Sequence, residues 1–192
     1  MEKFKSIILC TYNEEKYICS AINDINNNLN NFEIIIVDDN SKDRTIINIE
    51  KLKIKNSIKL ITRKKQKGLA SAFLRGLLET KGEYVGWIDT NMSYLIEKFN
   101  EMEKLLTTKD YDIILLSRYV KGGGDERSLL RSLPSKYLNI FCKLFFNSNI
   151  NDFTSGIFLM KKNILNETSI LGYGHGDFFI EFLYNIEKKE LK

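Results

Sequence analysis

Apolar residues fall into two alternating patterns along the first two thirds of the chain. Short, mostly apolar runs at Phe4 to Cys10, Phe32 to Val37, Ser57 to Ile61, Tyr84 to Ile88 and Ile113 to Leu116 read as strands buried on both faces. Between them, apolar residues recur at three- and four-residue spacing. In Glu14 to Asn28 the residues Tyr17, Ile18, Ala21, Ile22 and Ile25 share one face, and Asp43 to Lys55, Leu69 to Thr80 and Leu95 to Leu106 follow the same helical rule. Strand-helix alternation of this kind predicts an α/β fold, a Rossmann-like, mostly parallel sheet with helices on both faces. There is no internal repeat, low-complexity segment or Pro/Gly/Ser linker, and the single proline, Pro134, falls in the less regular second half. One domain is expected over residues 1–192, with its two halves meeting near Arg118 at about 1–117 and 118–192.

A length of 192 residues with 43% hydrophobic and 11% aromatic content suffices for one buried core. The net charge of +4 is spread along the chain, which argues against a nucleic-acid tail and leaves room for anionic phosphates or lipid headgroups. Cys10, Cys19 and Cys142 are odd in number and lack C-x-x-C spacing, so reduced thiols are expected rather than a disulfide framework or a zinc site. The apolar start Ile7-Ile8-Leu9-Cys10 is too short for a signal-peptide core. No stretch approaches the ~20 apolar residues of a membrane span, so membrane contact is expected to be peripheral.

Open parallel sheets bind ligands beyond the carboxyl ends of their strands. Those ends are polar here: Thr11-Tyr12-Asn13-Glu14, Asp38-Asp39-Asn40-Ser41, Asp89-Thr90-Asn91 and Ser117-Arg118-Tyr119. A carboxylate at the position of Asp38 or Asp39 can accept hydrogen bonds from a ribose or base edge, and neither acid has an obvious structural duty in the sequence. Ser41 and Asp43, by contrast, suit helix capping as well as ligand contact. Asp89-Thr90-Asn91 is similar to the D-x-D element that holds a divalent cation through hard oxygen ligands. Lys64-Lys65-Gln66-Lys67-Gly68 before the small-residue helix start Ala70-Ser71-Ala72 suits either a phosphate or a solvated turn. It is neither a Walker A loop nor a G-x-G-x-x-G fingerprint, which removes the main support for kinase, ATPase and dinucleotide readings. Arg118, Arg127 and Arg131 surround Gly122-Gly123-Gly124 and suit a second phosphate or a charged surface. From Leu133 to Phe146, Tyr137, Leu138, Ile140, Phe141, Leu144, Phe145 and Phe146 are interrupted by Lys136 and Lys143, a pattern open to a membrane-interface helix or a core helix.

In order and spacing, this set resembles the family 2 glycosyltransferases, and within them the group acting on polyprenyl phosphates that includes the dolichol-phosphate mannose synthases. The residues carrying the resemblance are Thr11-Tyr12-Asn13-Glu14, Val37 to Thr45, Lys67 to Ala72, Asp89-Thr90-Asn91, Ser117-Arg118-Tyr119 with Gly122-Gly123, and Thr154-Ser155-Gly156. The resemblance implies a GT-A fold and an inverting transfer of a hexose, mannose favoured, to a polyprenyl or dolichyl phosphate. It implies a nucleoside diphosphate sugar donor, GDP-mannose favoured and UDP-glucose the other candidate, with a divalent cation, Mg or Mn. By the same mapping Thr11, Tyr12, Glu14, Asp38, Asp39 and Thr90 bind the donor and Lys67 lies near its diphosphate. Asp89 and Asn91 face the metal, and Asp89, Arg118 and Arg131 carry the chemistry. Arg118, Arg131 and Ser135 clamp the lipid phosphate, Ser155 and Gly156 line the sugar end, and Glu181 matches a late acidic position. The implied location is cytoplasmic, at the inner face of a membrane.

The composition agrees with that chemistry. His175 is the only histidine, and no Ser-His-Asp or Cys-His set can be assembled around it. A phosphomonoester, with a second pKa of ~6, is largely ionised at neutral pH and attacks without a general base. Two departures from the family stand out. Asn91 occupies a position where relatives carry an acid, and Lys192 ends the sequence where relatives continue with another strand and a basic segment. Two other readings follow. A transferase acting on a saccharide or protein hydroxyl needs a carboxylate base, for which Asp152, Asp177 and Glu181 are the late-chain candidates; a non-catalytic nucleotide-sugar binding domain needs none.

Overall fold

The computed structural model describes residues 3–53, 57–125, 128–174 and 176–192. Its single six-stranded sheet contains β1 (Lys5–Thr11), β2 (Phe32–Asp38), β3 (Ile58–Thr62), β4 (Tyr84–Trp87), β5 (Ile113–Leu115) and β6 (Phe158–Lys161) in the order β3-β2-β1-β4-β6-β5. The first four strands are parallel, and β6 is antiparallel to both of its neighbours. Helices α1 (Ile18–Asn28), α2 (Thr45–Lys53), α3 (Leu69–Leu77), α4 (Phe99–Thr108), α5 (Leu129–Phe146) and α6 (Asp177–Lys188) complete the fold.

The pleat sorts each strand's side chains between two cores. Ile7 and Leu9 of β1 and Ile34 and Ile36 of β2 pack with Ile18, Ala21, Ile22 and Ile25 of α1, Ile49 of α2 and Phe99, Met102 and Leu106 of α4. Ile8, Ile35 and Val37 point the other way, against Ala70, Ala72 and Phe73 of α3 and Phe178, Phe179, Phe182 and Leu183 of α6. Burial on both faces explains the unbroken apolar runs, each such side chain stabilising the fold by about 1.5–3 kcal/mol.

β1, β2 and β3 step outward in one direction, and the chain then crosses to β4 on the other side of β1. This reversal opens a crevice between the carboxyl ends of β1 and β4, the place where such sheets bind ligands. The sequence places the fifth strand in a parallel run, but the structure inserts β6 between β4 and β5. The four residues Phe158–Lys161 are too few to display a period, yet Phe158, Leu159 and Met160 are fully buried and pair along all of β4. Two helices also differ from expectation. α1 begins at Ile18 rather than Glu14, and the helix expected from Leu95 is a 3-10 segment, Thr90–Lys98, before α4 begins at Phe99.

Candidate active site

The floor of the crevice is two strand-end loops fastened to each other. The chain leaves β1 and β2 through Asn13 (φ 58°) and Asn40 (φ 61°), both in the left-handed region that asparagine tolerates better than most residues. Asp38 is fully buried: its Oδ2 accepts the Thr11 and Ser41 hydroxyls at 2.8 and 2.6 Å, and its Oδ1 accepts the Ser41 amide at 2.8 Å. Ser41 Oγ accepts the Asn13 amide at 2.8 Å, Asn13 Oδ1 accepts the Lys42 amide at 2.8 Å, and Thr45 Oγ1 accepts the Glu14 amide at 2.7 Å. Asp43 accepts the Thr45 hydroxyl and amide and the Glu15 amide, and these bonds outweigh its burial and hold its carboxyl below the ordinary value. Asp43 thus caps the start of α2, whereas Ser41 serves the neighbouring loop.

Asp39 has an equally definite structural partner, one that sequence reasoning missed. Arg63, directly after β3, is buried and places Nε 2.7 Å from Asp39 Oδ1, NH1 2.8 Å from Ser71 Oγ and NH2 3.0 Å from the Gly68 carbonyl oxygen. Asp39 Oδ2 accepts the Gly68 amide at 2.8 Å. Gly68 has φ 122°, a conformation a side chain would strain, and α3 starts immediately after it. One carboxylate and one guanidinium therefore pin the Lys-rich loop against the end of β2. The only sequence signal was an arginine interrupting the end of an apolar run. Lys67, exposed at the loop tip, rests with Nζ 4.8 Å from the centre of the Tyr12 ring.

Asp89 stands across the crevice, two residues past β4. Burial first, and the Glu14 carboxylate second, push its pKa up to about 6. Glu14 Oε2 accepts the Thr90 hydroxyl at 3.0 Å, which fixes the second acid beside the first. Gly156 closes this corner: a Cβ there would lie 2.7 Å from Asp89 Oδ2, so only glycine leaves the carboxylate in place. Asn91 is exposed at the start of the 3-10 segment. Among the described residues no group of three or more His, Cys, Asp or Glu converges as a ready-made metal cage. A carboxylate whose ionisation is opposed by burial and a second acid is nevertheless the environment a cation relieves; Asp89 and Glu14 at this corner, and Asn91 two residues along the chain, carry oxygen atoms of the hard kind that Mg or Mn takes. Cys10 lies in the same region, and its thiol is pushed far up by burial first and then by Asp89, so it remains an inert neutral group.

The second half contributes a buried ion pair. Arg118 donates Nε and NH2 to Asp152 at 2.9 and 2.7 Å and NH2 to the Thr154 hydroxyl at 2.6 Å, while Asp152 is 1% exposed. Asp152 is thus fully committed and unsuited to be a general base, which removes one of three late-chain candidates for that role. Asn139 of α5 donates to Thr154 Oγ1 at 2.9 Å and accepts the Phe153 amide, so α5 is bolted to the turn that holds Arg118. Ser155 turns its hydroxyl onto the Leu116 and Ile157 carbonyls. Ser135 is half-buried in α5, and its carbonyl accepts the Asn139 amide group at 2.8 Å. Arg131 belongs to α5, but its side chain lies outside the described residues, as do Arg127 and His175. The structure thus unites Thr11, Asp38 and Asp39 through one loop system, Glu14, Thr90, Asp89 and Gly156 at one corner, and Tyr12 with Lys67; Arg118 stands on a separate support.

α5, which carries Leu133 to Phe146, is not a core-packing helix. Among the described residues of α5, Asn139 and Cys142 are buried and Ser132, Ser135 and Phe146 are half-buried on the inward side, whereas Leu130 (86% exposed), Tyr137, Phe141, Leu144 (77%) and Phe145 (72%) line one outward face. No described helix is long and apolar enough to cross a membrane.

The sequence model of glycosyl transferase family 2 matches residues 6–169. This chain belongs to that family. Among curated family relatives, the dolichol-phosphate mannosyltransferase of Pyrococcus furiosus is 34% identical over 165 residues, covering 83% of this chain and 47% of the relative. The dolichyl-phosphate beta-glucosyltransferase of Dictyostelium discoideum is 26% identical over 204 residues, covering 96% of this chain and 62% of the relative. The family domain described here therefore spans roughly half to three fifths of those proteins. Among solved structures, glucosyl-3-phosphoglycerate synthase from Mycobacterium tuberculosis with Mn2+, UDP and phosphoglyceric acid superposes with a TM-score of 0.74 at 19% identity, covering 97% of this chain and 65% of that one. The same enzyme has been crystallised with Mg2+ and UDP, at a TM-score of 0.73. The fold is the GT-A type expected from the sequence.

Proposed function

We propose that this domain transfers a hexose, mannose favoured, from a nucleoside diphosphate sugar to a polyprenyl phosphate at a membrane surface. The observation that carries this reading is the outward apolar face of α5 on the same support as Arg118. Asn139 links the helix to Thr154, and Thr154 accepts from Arg118 NH2. An acceptor with a phosphate head and an isoprenoid tail needs a cation and an apolar surface side by side. The names of the two curated relatives, both dolichol-phosphate enzymes, support the same acceptor class.

On this reading Tyr12, Glu14 and Asp39 hold the nucleoside, with Thr11, Asp38 and Thr90 shaping the crevice around it, and Lys67 meets the diphosphate. Asp89 and Asn91 would hold a divalent cation, which when bound neutralises charge on the leaving diphosphate. Arg118 and Arg131, with Ser135, position the lipid phosphate, while Ser155 and Gly156 shape the sugar end. An ionised phosphate oxygen forms a bond to the anomeric carbon as the bond to the nucleoside diphosphate breaks, inverting that carbon, and no proton has to be removed. The domain works at the cytoplasmic face of the membrane, with α5 lying in the interface.

The test is calorimetric titration with GDP-mannose and UDP-glucose, each with and without Mn2+, followed by transfer to a short polyprenyl phosphate. Metal-dependent binding of one donor with a lipid-linked product is the expected result. Failure to bind either donor overturns the proposal. Donor binding without a lipid-linked product overturns the lipid acceptor.

A further inference from the structure

Tyr12 presents a ring 48% exposed at the mouth of the crevice, and the Lys67 ammonium lies over it, 4.8 Å from its centre. The loop carrying Lys67 is pinned at its base by Asp39 to the Gly68 amide and by Arg63 to the Gly68 carbonyl, so the contact is made by the loop tip and the flexible lysine stem. Resting on the assignment of Tyr12 to the nucleoside and Lys67 to the diphosphate, we infer that Lys67 occupies the Tyr12 ring while the crevice is empty. An arriving base then displaces it, and the freed ammonium becomes the diphosphate contact.

Magnitudes decide the direction of this exchange. A cation on an exposed aromatic face contributes about 2- to 5-fold in affinity, whereas a stacked base contributes roughly 5- to 150-fold. The base therefore wins the ring, and Lys67 must go elsewhere. A four-carbon stem anchored beside Gly68 keeps the released charge near the crevice, where a diphosphate attracts it far more strongly than a ring does. The lysine opposes binding of the base alone and favours binding of base plus diphosphate, which selects intact nucleotide over free nucleoside.

This exchange makes an opposite-sign prediction that a simple phosphate-binding lysine does not. Guanosine, uridine, GDP and UDP are titrated against wild type, Lys67→Ala, Lys67→Arg and Tyr12→Leu in Mn2+ buffer, using ligand-observed NMR for the nucleosides and calorimetry for the diphosphates. For the pair that wild type binds, Lys67→Ala is expected to tighten the nucleoside about 2- to 5-fold while weakening the diphosphate by about tenfold or more. Lys67→Arg should restore the wild-type ratio, and Tyr12→Leu should weaken both ligands. Unchanged or weaker nucleoside binding by Lys67→Ala, with normal diphosphate binding by wild type, overturns the exchange and leaves the donor site intact. Absence of GDP and UDP binding to wild type overturns the donor site and the exchange with it.

Discussion

Replacing Asp89 by asparagine should make the unliganded protein more stable while abolishing the metal-dependent donor binding proposed above. The carboxyl titrates near 6 in the folded chain because burial and Glu14 oppose its ionisation, against 3.8 for an unstrained aspartate. A gap of about two units corresponds to roughly 3 kcal/mol at neutral pH, and partial solvent access at the crevice reduces this to about 2 kcal/mol. The sign follows from proton binding. Between the two pKa values the folded state holds the proton more tightly than the unfolded state, so wild-type stability is complete below about pH 4 and declines as pH rises through about 6. Asparagine carries no such charge at any pH. Thermal melts of both proteins in EDTA should coincide near pH 4 and separate above it. By pH 7 the variant should be higher by roughly 4–8 °C, from about 2–4 °C per kcal/mol for a chain of this size. Mn2+ should raise the wild-type melting temperature and leave the variant unmoved. A variant that melts at or below wild type at pH 7 in EDTA would refute the reasoning, because the carboxylate would then be satisfied within the protein.

Other consequences are as specific. Gly156→Ala should displace the Asp89 carboxylate, since its Cβ would fall 2.7 Å from Oδ2; calorimetry should show metal-dependent donor binding weakened by about tenfold or more. Arg118→Ala strands the buried Asp152 carboxylate and should cost about 3–5 kcal/mol by urea denaturation, while adding Asp152→Ala should recover part of that loss in a double-mutant cycle. Leu144→Ser with Phe145→Ser should reduce sedimentation with phospholipid vesicles severalfold and change urea stability by no more than about 0.5 kcal/mol per residue, because both side chains are exposed.

The parallel half of the fold was legible because each strand there is buried on both faces and each helix on one, so hydrophobicity alone marks the elements. β6 was not legible: its four residues pair with β4 and β5 only because the chain returns from α5 in the opposite direction, a long-range fact no local pattern contains. The roles of Asp38 and Asp39 divide along the same line. Their place after β2 announced a polar rim, but their partners come from other loops: Thr11 and Ser41 for the first, Arg63 and Gly68 for the second. Arg63 escaped notice because an arginine at the end of an apolar run is an ordinary solvated residue until another strand brings a carboxylate to meet it.

α5 shows the limit of periodicity in a different way. Its apolar residues are as dense as those of a core helix, and in sequence the two cannot be separated, since both need apolar positions at three- and four-residue spacing. The polar residue on its inner face resolves the ambiguity. Asn139 is buried and uses both ends of its amide to hold the turn at Phe153 and Thr154, so the helix meets the protein along a narrow line and leaves its broader apolar face outward. A helix built that way loses stability to solvent unless something apolar covers it, and the proposed function supplies a cover: the acceptor's own membrane. The same bolt carries Arg118, so a displacement of the helix by the membrane surface acts directly on the residue proposed to meet the lipid phosphate. Asn139→Leu should therefore leave vesicle binding intact while lowering transfer to polyprenyl phosphate, and equal loss of both would show that the link serves folding alone.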